Sequence, residues 1–119
     1  MTAVFAIQSR PAIAAHPNEL DRKRIERALR GRKRYRYVSP VVEAVTGGYR
    51  IESPCCSRNI DPDGGVIDVA LMLHEPVAGA WKLFAKNHRN GTWTFHSKHP
   101  RLGSALDLLS EDPERCFWQ

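Results

Sequence analysis

The sequence predicts an α+β domain: an antiparallel β-meander of four to five strands, with a basic helix before it and an amphipathic helix after it. Three observations carry this. Apolar residues recur at helical spacing near both ends of the chain, after Asn18 and after Pro100. Between those ends the period switches to two, in segments broken by glycine and proline. The connections between strands are short, which favours antiparallel neighbours with the helices packed on one face.

The chain has 119 residues, 42% hydrophobic and 26% charged. Those values suit one globular domain and exclude collagen-like, disulfide-scaffold and wholly disordered chains. The expected organisation is an arm over residues 1–17 and a single domain over 18–119. No apolar run approaches the roughly 18–20 residues of a membrane helix, so no membrane partner is expected. The N-terminal stretch MTAVFAIQSRPAIAAHP lacks a basic start, and Arg10 and Pro11 interrupt it, which argues against a signal peptide. Of three cysteines, Cys55 and Cys56 are adjacent and poorly placed to bridge each other. A secreted disulfide framework is therefore not expected, and a cytoplasmic protein with reduced thiols is.

Within the arm, Val4–Gln8 reads as a short strand without an obvious partner. The first helix spans Asn18 to about Arg34. Asn18 is its N-cap, and Glu19 and Asp21 sit in the first turn, where the helix dipole favours anions. Ile25, Ala28 and Leu29 share one face with Leu20 at its edge, and Gly31 ends or weakens the helix. Ser39-Pro40 forces extended backbone. Val41–Val45 and Tyr49–Ser53 form a hairpin about Gly47-Gly48, with Tyr49 and Ile51 inward. PCCSRNIDPDGG, from Pro54 to Gly65, is a loop.

Val66–Glu75 is the next strand, with Ile67, Val69, Leu71 and Leu73 on one face. Trp81–His88 and Thr92–Lys98 form a second hairpin. A three-residue loop, Arg89-Asn90-Gly91 with Gly91 left-handed, places Trp81, Leu83, Ala85, Trp93 and Phe95 together. The opposite face then carries Lys82, Phe84, Lys86, His88, His96 and Lys98. Pro100 suits the first turn of a second helix, whose stripe is Leu102, Ala105, Leu106 and Leu109. This stripe is expected to pack on Trp81, Leu83, Trp93 and Phe95. Asp112-Pro113 stops the helix, and Cys116, Phe117 and Trp118 are apolar enough to dock.

In this order the sequence resembles a family of small bacterial proteins, domain of unknown function 3024. The matching pieces are DRKRIERAL at Asp21–Leu29, GYRIE at Gly48–Glu52, WKLFAKNHRNGTWTFH at Trp81–His96 and EDPERCFWQ at Glu111–Gln119. None is a catalytic signature, so the resemblance implies no site residues. The PCCSRNIDPDGG loop and the basic run after Leu29 depart from the family's pattern.

Charge is the strongest functional signal. Between Asp21 and Arg36 nine Arg and Lys face two acidic residues, a local +7, so the rest of the chain carries −2 of the net +5. Arg22, Lys23, Arg27, Arg30, Lys33 and Arg34 fan opposite the apolar side. Such a strip binds DNA or RNA phosphates through counterion release, and Tyr35 and Tyr37 are placed to stack bases. A solvated helix face, or a docking site for an acidic protein, are the alternatives. Lys82, Phe84 and Lys86 on the hairpin's open face are a second candidate surface, since basic residues around an exposed aromatic build many RNA-binding sheets. That face is equally suited to a covering helix, a protein partner or a homodimer. Cys55, Cys56, His74, His88, His96 and His99 lack zinc-finger spacing, so no metal or other cofactor is expected. No catalytic residue is assigned, because no nucleophile elbow, phosphate-binding loop, dinucleotide fingerprint or zincin motif is present.

Overall fold

The computed structural model describes residues 17–32, 39–54 and 65–118. The chain order is α1 (Glu19–Leu29), β1 (Val41–Val45), β2 (Gly48–Pro54), β3 (Val66–Glu75), β4 (Ala80–Asn87), β5 (Thr92–His99) and α2 (Leu102–Glu111). The strands form one five-stranded sheet in sequence order, antiparallel throughout. The expected arm strand Val4–Gln8, residues 33–38 and the loop with Cys55 and Cys56 lie outside the described residues.

Helix α1 begins as the sequence predicts: the Asn18 side chain accepts from the Asp21 amide at 2.7 Å. Tyr49 ties this cap to β2, because its hydroxyl accepts from the Asn18 amide at 2.9 Å and donates to the Asn18 carbonyl at 3.1 Å. The helix ends earlier than Arg34. Its last residue is Leu29, and Arg32 folds back so that its guanidinium donates to the Leu29 carbonyl at 2.7 Å. That bond and the weak helical preference of Gly31 account for the stop. Leu20 is not at the edge of the core but 79% exposed.

In the first hairpin Tyr49 and Ile51 are buried, as expected, and Val42 stands opposite Ile51; the turn is Thr46-Gly47 rather than Gly47-Gly48, because Gly48 already pairs with Val45 in the ladder. Gly47 takes φ 81° in the turn. Gly48 lies so close to β3 that a Cβ there would stand 1.8 Å from the Met72 carbonyl oxygen, so no side chain fits.

Two one-residue bulges set which faces of the sheet are buried. In β3 the register slips opposite Ile51/Glu52, so that Ile51 pairs with Ala70 and Glu52 with Asp68. Val69 and Ala70 are both buried, and beyond them the phase reverses. Met72 then faces the core, and Leu71 and Leu73 turn outward, contrary to the single alternation the sequence suggested.

The second bulge is in β5. At the base of the hairpin Trp81 pairs with His99 and Leu83 with Ser97, as a three-residue loop requires. At the tip Phe84 pairs with Phe95 and Lys86 with Trp93. The loop has four residues, His88 to Gly91, closed by the Gly91 amide on the Asn87 carbonyl at 2.8 Å. Gly91 is left-handed, as expected, at φ 73°. The Asn87 side chain causes the extra residue by accepting from the Arg89 and Asn90 amides at 3.0 and 3.3 Å. Trp93 and Phe95 therefore leave the core face, and Phe95 is 53% exposed.

Both helices pack on one side of the sheet, in a single core with Ile25, Leu29, Ile51, Met72, Trp81, Leu83 and Phe117. Leu102, Ala105, Leu106 and Leu109 are all buried in it, as the stripe predicts. They meet Trp81 and Leu83, but not Trp93 or Phe95. Pro100 stands before the helix rather than in its first turn, because Arg101 is the N-cap. The tail docks as expected. Asp112, left-handed at φ 39° and 1% exposed, accepts through its carboxylate from the amides of Cys116 (2.8 Å), Phe117 (3.3 Å) and Trp118 (2.8 Å). Trp118 Nε1 donates to the Leu109 carbonyl at 2.8 Å, and the Arg32 guanidinium lies 4.5 Å over the Trp118 ring.

Candidate nucleic-acid interface

The cations of α1 divide by their angle around the helix. Ile25 and Leu29 define the buried side. Lys23, Arg27 and Arg30 lie within about 60° of one another on the opposite side, and Arg24 flanks them. All four side chains are exposed, and none makes an ion pair with a described residue. Arg22 is placed differently. It is half-buried between Glu19 and Glu26 and paired with both, at 2.8 Å to Glu26. Glu19, hydrogen-bonded to Arg22, is held below the usual carboxylate range in consequence. Arg32 is buried against Trp118 and is not a surface charge at all. Lys33, Arg34 and Tyr35 lie outside the described residues. Among the described residues, the exposed cations of the predicted strip are Lys23, Arg27 and Arg30, with Arg24 beside them and Arg22 paired with two carboxylates.

The open face of the sheet is the second predicted surface. Lys82, Phe84, Lys86 and Lys98 occupy it together, as alternation implies. The β5 bulge adds Trp93 and Phe95 and takes His96 away to the other side, where its ring lies 5.0 Å from Phe117. Phe84 and Phe95 meet edge to face at 5.7 Å, and Lys86 Nζ lies 4.8 Å over the Trp93 ring. Every cation here has a carboxylate. Lys98 and Lys82 reach Glu75 at 2.8 and 3.3 Å, and Lys86 reaches Asp68 at 3.0 Å. Arg50 pairs with Glu43, Glu52 and Asp68. Hydrogen bonds from Lys98 and Lys82 hold Glu75 below its ordinary value. Among the described residues, four cations thus meet four carboxylates on this face, and their charges balance. Leu71 and Leu73 lie half-buried among them, and no described element packs on this face. The pairing was not predicted: Glu43, Glu52, Asp68 and Glu75 are scattered in sequence, and only the β3 bulge and the strand register gather them.

His88, in the loop between β4 and β5, carries a pH prediction. Burial pushes its imidazole below the ordinary value; the Lys86 ammonium adds to this and Asp68 opposes it. Its Nε2 is buried and has no hydrogen-bond partner among the described residues. The folded state therefore favours the neutral ring. The stability this contributes is fully present above the unfolded value of about 6.5 and is lost as pH falls through the lower folded value. Urea denaturation at about pH 7.5 and about pH 5 should show wild type losing stability on acidification, and His88→Gln losing less. An unchanged pH dependence in the variant would assign the titration to another group.

Among the described residues the histidines of the sequence reading do not converge on one point. His74 packs its ring on Trp81 at 5.0 Å, His88 lies at the far end of the hairpin, and His96 and His99 share Ser97. No helix among the described residues is long and apolar enough to cross a membrane. No curated protein and no solved structure matches the chain. The family model described as Domain of unknown function (DUF3024) matches residues 13–119, and the chain belongs to that family.

Proposed function

We propose that this protein binds nucleic-acid phosphates through the exposed side of α1. The observation that carries the reading is the contrast between its two basic surfaces. The sheet's cations are all neutralised by neighbouring carboxylates, whereas Lys23, Arg24, Arg27 and Arg30 are exposed and lack ion pairs among the described residues. Counterion release from a polyanion needs cations that are not already paired. Arginine supplies three of the four, and its guanidinium suits bidentate phosphate contacts. Phosphates carry no sequence information, so binding by this strip is weakly specific.

Four phosphate contacts give a log K against log salt slope of roughly −3 to −4 on duplex DNA, and less on a single strand. The test is binding of a mixed-sequence duplex and a single strand at two salt concentrations, wild type against Arg27→Glu/Arg30→Glu. Both side chains are exposed, so the fold should survive. Binding that collapses in the variant supports the proposal. A variant that binds as tightly as wild type, or a wild type with no affinity at low salt, removes it.

A second reading is docking of a protein partner, or of a second copy of the chain, on the open sheet face. Exposed Phe95 beside Phe84 and Trp93 favours it. Apolar docking there is insensitive to salt, which separates the two readings.

A further inference from the structure

The β5 bulge and the turn after α2 bring together three donors that lie far apart in sequence or in no metal-binding spacing. His96 is the extra residue of the bulge, so it leaves the strand's alternation and faces the tail. Glu114 and Cys116 come from the turn that Asp112 and Arg115, both left-handed, shape. One ring nitrogen of His96, a carboxylate oxygen of Glu114 and the Cys116 sulfur all lie within 4.8 Å of one another.

From this geometry we propose that His96, Glu114 and Cys116 form a binding site for a zinc-class divalent transition-metal ion. The donor set decides the class of ion. A thiolate and an imidazole select borderline-soft cations such as zinc and cobalt over magnesium and calcium, which prefer all-oxygen shells. The spacing decides the feasibility. Ligands at bond lengths of about 2.0–2.3 Å on a tetrahedral ion stand roughly 3.3–3.8 Å apart. Cys116 Sγ and Glu114 Oε1 are 3.9 Å apart, already near that span. The remaining closure is within reach of a rotamer change at Glu114, which is exposed.

Two of the three ligands are held by their surroundings. The Cys116 amide is fixed on the Asp112 carboxylate at 2.8 Å. His96 Nδ1 is hydrogen-bonded to Ser97 Oγ at 2.9 Å, and Ser97 Oγ to His99 Nε2 at 2.8 Å. A contact of this kind to one ring nitrogen orients an imidazole that ligates through the other. With three protein ligands and partial exposure, the fourth position takes water or an exogenous donor, as in reactive rather than closed zinc sites. Binding replaces the Cys116 S–H bond by an S–metal bond and releases that proton to solvent.

The test is titration of the metal-free full chain with cobalt(II), followed by displacement with zinc. Wild type should bind one equivalent, with a near-ultraviolet thiolate-to-cobalt band and visible bands that zinc bleaches. Cys116→Ser should abolish the thiolate band, and His96→Gln should raise the apparent Kd at least about tenfold. Both side chains are only partly buried, and circular dichroism of each variant confirms its fold. The Cys55→Ser/Cys56→Ser variant should keep the band. A band that survives Cys116→Ser but not the Cys55/Cys56 variant, or the absence of binding by wild type, overturns the proposal.

Discussion

Replacing Asp112 with alanine is expected to cost about 3–5 kcal/mol. The carboxylate is 1% exposed and is the shared acceptor for the amides of Cys116, Phe117 and Trp118. Alanine leaves those of buried Phe117 and Trp118 without that acceptor, at about 1–3 kcal/mol for each buried donor. It also meets a left-handed backbone, which alanine tolerates less well than aspartate or asparagine. Asp112→Asn keeps one acceptor oxygen and the conformational tolerance, so it should cost about 1–2 kcal/mol. Urea denaturation followed by tryptophan fluorescence measures both, and the alanine variant should report a released Trp118 in the folded baseline. An alanine variant within about 1 kcal/mol of wild type would mean that the tail is held by its side chains alone.

Leu106→Ala should cost about 2–5 kcal/mol, as for a leucine truncated inside a packed core. Leu106 is 5% exposed and sits in the cluster with Trp81 and Leu83. Phe95→Ala, by contrast, should cost less than about 1 kcal/mol, because Phe95 is 53% exposed and loses mainly its edge contact with Phe84. The pair tests the hairpin register directly. Under uninterrupted alternation both residues would lie in the core and both substitutions would be severe. Equal, large losses in the two variants would contradict the bulge at His96.

The elements and their order were legible because they rest on local rules. The Asn18 cap, the Gly47 turn and the stripe through Leu102 and Leu109 each depend on residues within a few positions. What the sequence concealed is where alternation breaks. Trp93 and Phe95 read as core because they are large, apolar and two apart. Their fate is decided by the Asn87 side chain, which widens the loop to four residues, and by the bulge that returns the base of the hairpin to register. The same applies to Val69, where one extra residue turns Leu71 and Leu73 outward. Asp112 was legible as a helix stop, but its carboxylate's hold on the tail amides requires the three-dimensional turn. His96, Glu114 and Cys116 carried no signal as a set, since only a bulge and two left-handed residues bring them together. At α1, periodicity found the exposed strip but missed that Arg22 is neutralised by Glu19 and Glu26 and that Arg32 is internal.

The balanced ion pairs of the open sheet face also shape the protein's behaviour at a distance. Four positive and four negative groups in alternation cancel within a few ångströms, so that side generates almost no far field. The residues from Asp21 to Arg36, by contrast, hold +7 of formal charge, more than the net +5 of the whole chain. Of that charge the residues from Asp21 to Arg32 hold +4, six Arg and Lys against Asp21 and Glu26, and helix α1 packs on the other side of the sheet, so the positive field is stronger on that side than on the open face. A strongly anionic surface exerts a torque on such a body as well as a pull, and turns it helix-first before contact. The aromatic side of the sheet is then left pointing away, free to meet something else.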